Sequence, residues 1–252
     1  MRREGTTAAL ILDTHPYRDA DLMVNLFTPA AGKVSAIAYR ARSSRKRFSG
    51  GLDRLTLVEA TISRRGRGAF ILEGAEPQEL FWGAKSDLDK SAAASLWSEL
   101  LIRAHMERPD AAVLFDATVE FLTTLSSCPP ARAGAGAFYA GVAVPGLLGF
   151  LPATLTCPAC ADPSPLKECC FHCDSGEVTC REHSRQKAGV LLLDNEQVEL
   201  LALAMGAGSL AGFLDRSGAA QPAAMLIQFS PYLTSLFGRL KSLEFIRSLE
   251  AT

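Results

Sequence analysis

The sequence predicts an α+β protein, with a small N-terminal β-barrel over residues 1–80 and a helical domain over residues 81–252 that carries a metal-binding insertion. Three observations lead to this prediction. Five short runs of β-branched or alternating apolar residues lie within the first eighty positions. Amphipathic segments with helix-capping residues follow them. Cysteines and a histidine at the spacing of metal ligands then occupy residues 157–183.

The N-terminal domain is predicted to contain five strands separated by turn residues. A turn at His15–Asp19 separates the first two strands, and Pro29 and Gly32 close the second. The predicted strands cover residues 8–14, 22–27, 33–41, 55–62 and 69–72. Five short strands in a domain of this size are typical of the OB fold, a barrel whose faces and loops bind oligonucleotides in many proteins.

Basic residues are concentrated between the third and fifth predicted strands. Residues 40–67 contain nine Lys or Arg, opposed only by Asp53 and Glu59. Cations there would contact phosphates while nearby aromatic rings stack on bases, an arrangement that binds single strands. Taken separately, Tyr39 and Phe70 fit core positions, and a solvated polar loop is the alternative interpretation. The candidate DNA-binding residues are Arg40, Arg42, Arg45, Lys46, Arg47, Arg64, Arg65 and Arg67.

Capping patterns predict several helices in residues 81–252. Ser86 and Asp89 form a possible capping box, Asp110 can cap a second helix, and Asp194 can cap a later one. A Gly-rich segment over residues 138–150 is expected to be weakly helical. Pro231 is predicted to open a single last helix over residues 232–249.

Two i,i+3 pairs of metal-ligating residues predict a structural zinc site. Cys157 and Cys160 form one pair, and Cys180 and His183 form the other. Each pair can direct two side chains at one ion, and four protein ligands leave no open position for a substrate. Cys170 with Cys173 is a competing pair, and His172 is a further possible ligand.

Composition and missing motifs exclude several function classes. With 48% hydrophobic and 21% charged residues, the chain is expected to be globular. The N-terminal residues contain no secretory segment, and seven cysteines without one fit a reducing cytosol. Prolines interrupt the uncharged stretch 133–161, which argues against a membrane span. Phosphate-binding loops and nucleophile elbows are absent from the sequence. His105 and Glu107 with Cys157 and Cys160 resemble a deaminase zinc pattern only superficially, because Pro is missing before Cys157.

Several segments together resemble the RecO family of bacterial DNA repair proteins. The run from Leu10 to Phe48 contains an acidic turn with Asp19 and Asp21, then Gly32-Lys33 and the basic loop. Phe138 and the LLGFLP segment precede the first cysteine pair, and GRLKSLEF lies near the end. The resemblance covers nearly the whole chain. His183 is a departure, since zinc-bearing members of the family tend to have cysteine there.

The resemblance implies a recombination mediator without enzymatic turnover. It implies binding to single- and double-stranded DNA, annealing of complementary strands, and cooperation with RecR in loading RecA onto single strands coated by SSB. The implied partners are therefore DNA, RecR and the acidic C-terminal tail of SSB, without a membrane or a small-molecule substrate. The implied location is the bacterial cytoplasm, in association with the nucleoid. A zinc-containing RNA-binding protein is an alternative that shares the barrel and basic loops.

Overall fold

A computed structural model of the chain describes residues 2–44, 46–48, 52–65, 68–104, 108–160, 164–184, 188–218 and 222–250. Two compact units are present. The first comprises residues 1–82 and 105–119, and the second comprises residues 83–104 and 120–252. The barrel belongs to the first unit, and the cysteine-rich segment belongs to the second.

The first unit contains a closed five-stranded barrel in the order β1-β2-β3-β5-β4, which confirms the predicted OB-like fold. Its strands are β1 (Arg2–Pro16), β2 (Leu22–Thr28), β3 (Gly32–Ala38), β4 (Leu57–Arg65) and β5 (Phe70–Glu79). Strands β3 and β5 pair in parallel, and the other neighbours are antiparallel. The turn predicted at His15–Asp19 begins only at Tyr17, because His15 and Pro16 continue β1 by pairing with Met23 and Leu22.

The barrel interior follows the period-2 alternation of its strands. Ala9 and Ile11 of β1 and Val24 and Leu26 of β2 point into one apolar cluster, as alternate residues of a strand must. The connection between β3 and β4 adds Phe48 to this cluster. The long β3–β4 connection is therefore anchored in the core. On the outer face, a helix covers part of the barrel, since the ring centroids of Phe27 and Phe115 lie 5.8 Å apart.

Helices dominate the second unit, and one helix is divided between the two units. The helices are α1 (Trp82–Lys85), α2 (Leu88–Arg103), α3 (Arg108–Ser127), α4 (Ala133–Leu147), α5 (Asn195–Gly206), α6 (Leu210–Arg216), α7 (Pro222–Phe237) and α8 (Lys241–Glu250). Residues 108–119 of α3 cluster with the barrel, and the rest of α3 clusters with the other helices. Across the described ranges, no helix is long and apolar enough to cross a membrane.

Two helix boundaries differ from the sequence predictions, and a third agrees with them. Asp87, rather than Ser86, caps α2 by accepting the Lys90 N–H at 3.0 Å. Asp110 lies inside α3 rather than capping it. Asp194 does cap α5, and its reciprocal capping box with Gln197 confirms that prediction. Local sequence identified the helices but could place their first residue only approximately.

The predicted single helix over residues 232–249 is instead two helices. Pro231 lies inside α7, where its missing N–H leaves the Ile227 carbonyl without its usual donor. The Ser230 hydroxyl donates to that carbonyl at 2.6 Å, so the helix continues through the proline. Helix α7 ends at Phe237, and Gly238 adopts a φ of +73° that favours glycine.

Helix α8 is attached to α2 by a carboxylate that caps its N-terminus. Glu99 accepts the Lys241 and Ser242 N–H groups at 3.1 and 2.9 Å and the Ser242 hydroxyl at 2.6 Å. Arg103 lies 3.5 Å from the same carboxylate. Burial raises the pKa of Glu99, but the hydrogen bonds from Ser242 and Lys241 and the charge of Arg103 outweigh it, so the pKa lies below 4.5.

Replacing Glu99 with Gln is expected to lower the free energy of unfolding and to make it less sensitive to acidic pH. Because the folded-state pKa of Glu99 lies below its ordinary value, the stabilisation is complete above about pH 4.5 and is lost as the pH falls through the folded-state pKa. At neutral pH the Gln variant should lose about 1–3 kcal/mol. When the pH is lowered from about 6 to about 3, the free energy of unfolding should fall less in the variant than in the parent. Urea unfolding across that range measures both effects, and the exposed Glu76→Gln serves as the control.

Candidate nucleic-acid interface and metal centre

The basic connection after β3 begins at a backbone position held by Asp21. The Arg40 N–H donates to the Asp21 carboxylate at 2.8 Å, and Asp21 is only 9% exposed. Arg40 has a φ of +53°, which is unusual for a residue with a Cβ. Its carbonyl accepts the Ser43 and Ser44 N–H groups at 3.1 and 3.0 Å, which closes a tight turn. Asp21 therefore orients the start of the connection, a role that sequence reasoning did not assign.

Replacing Asp21 with Ala is expected to loosen the basic connection. The variant leaves the Arg40 N–H without its charged acceptor, at a cost of about 1–3 kcal/mol. Local opening should then become at least about fivefold more frequent. Limited trypsinolysis after Arg42 and Lys46 reports this opening directly. Asp21→Asn retains an acceptor oxygen and should be cut more slowly than Asp21→Ala, whereas equal rates for both variants and the parent would contradict the assignment.

Arg47 stabilises the connection from within. Its Nη2 donates to the Tyr39 carbonyl at 2.6 Å, and its Nε donates to the Ser44 hydroxyl at 3.2 Å. Its guanidinium carbon lies 5.2 Å from the ring centroid of Phe48. The Arg47 carbonyl accepts the Ala75 N–H of β5 at 3.0 Å. Arg47 thus joins the middle of the connection to its start and to strand β5 of the barrel.

Arg40, Arg42 and Lys46 present their side chains to solvent. Within the described ranges, no ion pair involves any of these three side chains. Exposed cations that are not neutralised by neighbouring carboxylates are suited to phosphate groups. Of the other predicted DNA-binding residues, Arg45 and Arg67 lie outside the described residues, and so does the side chain of Arg65.

Arg64 lies on the other basic segment, at the end of β4. Its guanidinium carbon is 4.6 Å from the Phe70 ring centroid, and its Nε donates to the Gly68 carbonyl at 2.9 Å. Phe70 begins β5, and Arg47 meets the same strand at Ala75. At about 3.3 Å per residue these positions are roughly 16 Å apart. The basic connection precedes β4 and the segment around Arg64 lies at the end of β4. Both segments contact the neighbouring strand β5.

The aromatic residues near the cations differ in exposure. Phe48 is 4% exposed and is part of the barrel core, so it is not available to a base. Phe70 is partly buried beneath Arg64. Tyr39 is 41% exposed, and its interpretation as a core residue was wrong. Its position directly after the end of β3 places it on the surface.

The structure brings Cys157, Cys160, Cys180 and His183 together. Their ligand atoms all lie within 4.8 Å of one another. The Sγ atoms of Cys160 and Cys180 are 3.7 Å apart, and His183 Nδ1 lies 3.7, 3.4 and 3.1 Å from the three sulfurs in chain order. Tetrahedral zinc would require separations of about 3.8 Å between sulfurs and about 3.6 Å between sulfur and nitrogen. This cluster could hold a metal ion.

The electrostatics of the cluster favour a bound cation. Burial raises the pKa of Cys157, but hydrogen bonds from the backbone N–H groups of Cys180 and Ala159 lower it to about 6. Hydrogen bonding with Cys180 and Cys157 raises the pKa of Cys160 to about 12. Without a cation, a thiolate at Cys157 and a thiolate at Cys160 would repel each other across the cluster. A divalent ion would remove that conflict.

A small sheet positions the second ligand pair. It has the order β7-β6-β8, with β6 (Cys169–His172), β7 (Val178–Thr179) and β8 (Val190–Leu193). The predicted turn at residues 174–176 returns the chain to Cys180 and contains Gly176 with a φ of +73°. A Cβ on Gly176 would lie 2.5 Å from the Phe150 carbonyl oxygen, so glycine is required there.

The competing ligands lie in the sheet rather than in the cluster. Cys170 is buried and paired with Thr179 in the β6–β7 ladder, and Cys173 is also buried. His172 Nε2 lies 3.0 Å from the Thr179 hydroxyl, which occupies one ring nitrogen in a hydrogen bond. The deaminase alternative needs a zinc ion with an open ligand position, whereas four side chains converge here. Its other two residues, His105 and Glu107, lie outside the described residues.

Comparison with known proteins identifies the family. A family model described as Recombination protein O N terminal matches residues 1–81, and one described as Recombination protein O C terminal matches residues 85–225. The DNA repair protein RecO of Pelobacter propionicus is 30% identical over 244 residues, covering 96% of this chain and 95% of that protein. That of Anaeromyxobacter dehalogenans is 33% identical over 176 residues, covering 68% of this chain and 67% of that protein. The chain therefore belongs to the RecO family of DNA repair proteins.

Proposed function

We propose that this protein is a recombination mediator that binds single- and double-stranded DNA and anneals complementary strands. Together with RecR it would help to load RecA onto single strands coated by SSB. The observation that carries the proposal is the similarity to a DNA repair protein RecO across 96% of the chain. Family models of the N-terminal and the C-terminal parts of such proteins both match this chain.

The geometry of the barrel supports a role in DNA binding. Exposed cations at Arg40, Arg42 and Lys46 lie on a connection that is anchored at Asp21, Phe48 and Ala75. A fixed cationic segment can bind phosphates without ordering a long loop at the moment of binding. Phosphate contacts alone leave base edges free, which is what annealing of two bound strands requires.

The second part of the proposal is that the cluster of three cysteines and one histidine binds structural zinc. The distances among the ligand atoms suit a tetrahedral ion, and thiolate with imidazole is a donor set that zinc favours. When bound, the ion would supply cross-links rather than chemistry, because no coordination position remains for water. Cys157 and Cys160 would be joined through it to Cys180 and His183, and the β6–β7 hairpin between them would be held closed.

Partners and location complete the proposal. RecR and the acidic C-terminal tail of SSB are the proposed protein partners, and the bacterial cytoplasm, close to the nucleoid, is the proposed location. We propose no enzymatic activity. The four-ligand cluster supports this, since a catalytic zinc site keeps a position open for substrate or water.

Strand annealing by the full-length protein tests the proposal. Complementary fluorescent oligonucleotides, free or coated with SSB, would be mixed with the protein, and pairing would be followed by energy transfer. The proposal predicts acceleration in both cases and a further dependence on RecR for RecA loading. Competition with RNA of equal length separates it from the RNA-binding alternative. Tighter binding to RNA together with no annealing of DNA would refute it.

A further inference from the structure

The β1–β2 turn and the start of the basic connection emerge at the same end of the barrel sheet. Pro16 pairs with Leu22, and Leu22 pairs with Ala38, so the three strand ends lie side by side. Tyr17 follows the first of these ends, and Tyr39 follows the third. Two strand spacings separate the outer strands, which places the two backbones about 10 Å apart.

Hydrogen bonds hold this turn and the connection together. The Arg42 N–H donates to the Ala20 carbonyl at 3.2 Å, and the Arg40 N–H donates to the Asp21 carboxylate at 2.8 Å. Within the turn, the Tyr17 N–H donates to the Asp21 carbonyl at 3.1 Å. The backbones that carry the two tyrosines are therefore fixed relative to each other.

Both tyrosines are exposed to solvent. Tyr17 is 42% exposed and Tyr39 is 41% exposed, whereas the other two tyrosines of the chain, Tyr139 and Tyr232, are buried. A cation accompanies each exposed ring. The Arg18 guanidinium carbon lies 5.3 Å from the Tyr17 ring centroid, and Arg40 follows Tyr39 with an exposed side chain.

We propose that Tyr17 and Tyr39 form a stacking surface for unpaired bases, with Arg18, Arg40 and Arg42 binding the phosphates beside it. The inference rests on the proposed function and adds the feature that distinguishes single strands from duplexes. Any base can stack on a tyrosine ring, so the surface binds without sequence preference. In a duplex the base faces are covered by their neighbours, so a duplex engages only the cations. The turn carries one exposed carboxylate, Asp19, against the exposed cations Arg18, Arg40 and Arg42 of this surface.

The test compares Tyr17→Ala/Tyr39→Ala with the parent in the full-length protein. Affinity for a mixed-sequence single strand and for a duplex of equal length would be measured by fluorescence anisotropy at several salt concentrations. Loss of two stacked bases predicts at least about a tenfold weaker single-strand affinity. Duplex affinity and the salt slope should remain unchanged, because no phosphate contact is removed. Tyr17→Phe/Tyr39→Phe keeps both rings and should bind like the parent, as should Phe245→Ala, which removes an exposed ring from α8.

A second measurement follows base stacking directly in the parent and in the double Ala variant. Single strands containing 2-aminopurine should lose fluorescence when the probe base stacks on tyrosine, and the double Ala variant should abolish that change. Equal single-strand affinities and equal quenching in the parent and the double variant would overturn the inference while leaving the proposed function intact. Failure of the parent itself to bind single strands would instead refute the proposed function.

Discussion

Replacing Cys180 with Ser is expected to release zinc and to destabilise the helical unit more than any other substitution considered for this chain. The variant removes one of four converging ligands, and the remaining thiolates then repel one another without a full coordination shell. Structural zinc contributes about 10–16 kcal/mol of apparent binding free energy in small peptides. In a chain with a large core only part of that is needed for stability, so we expect a loss of at least about 3 kcal/mol. That corresponds to a fall of about 6–12 °C in Tm.

Metal analysis together with thermal unfolding measures this effect, and two variants control it. Cys128→Ser alters a half-buried cysteine outside the cluster and should retain both zinc and Tm. His183→Cys preserves four ligands and should retain zinc as well. A strong chelator should lower the Tm of the parent but not that of Cys180→Ser. If the purified parent contains no stoichiometric metal, or if Cys180→Ser unfolds at the same temperature, the assignment of a structural ion is wrong.

Replacing Arg42 and Lys46 with Ala is expected to weaken DNA binding and to slow annealing. Both side chains are exposed, and neither takes part in an ion pair within the described residues. Each phosphate contact contributes about 0.7 to the slope of log affinity against log salt on single strands. Removing two contacts should therefore reduce the slope by about 1.4, with the greatest loss of affinity at low salt.

The matched control for that pair is Lys167→Ala, which removes an exposed cation from the second unit. It should leave the slope and the annealing rate unchanged. Arg42→Lys/Lys46→Arg keeps the charge and should retain most of the slope. A double Ala variant with the slope of the parent would show that phosphates bind elsewhere on the chain.

The alternation of apolar and polar residues predicted the barrel, because successive residues of a strand face the core and the surface in turn. In β3, the buried Val34 and Ala36 alternate in the sequence with the exposed Lys33 and Ser35. Strand ends were less predictable. His15 and Pro16 look like turn residues locally, yet cross-strand pairing with Met23 and Leu22 extends β1 through them.

The convergence of the four cluster side chains was predictable because short-range geometry arranges each pair. Cys157 and Cys160, like Cys180 and His183, form compact turns in which the fourth residue's N–H donates to the first residue's carbonyl at 3.2 Å in each case. Spacing alone could not exclude Cys170. Its pairing with Thr179 across β6 and β7 depends on the register of the sheet, which the sequence does not display.

The individual roles of the arginines could not be read from the sequence. Arg42 and Arg47 lie in the same basic run, but Arg47 donates to Tyr39 and Ser44 while the Arg42 side chain is exposed. Which of the two side chains forms hydrogen bonds within the protein depends on the path of the backbone around Arg40. The continuation of α7 through Pro231 was missed for a similar reason, since the Ser230 hydroxyl compensates for the missing hydrogen bond.

Photochemical cross-linking tests most directly the claim that the barrel binds the DNA chain while the metal-stabilised helical unit supports it. The full-length protein would be bound to a single strand substituted with 5-bromodeoxyuridine and irradiated, and the attached peptides would be identified by mass spectrometry. Cross-links are expected within residues 17–48 and 64–70, the segments that carry the exposed tyrosines and basic side chains. Cross-links confined to residues 120–250 would contradict the account.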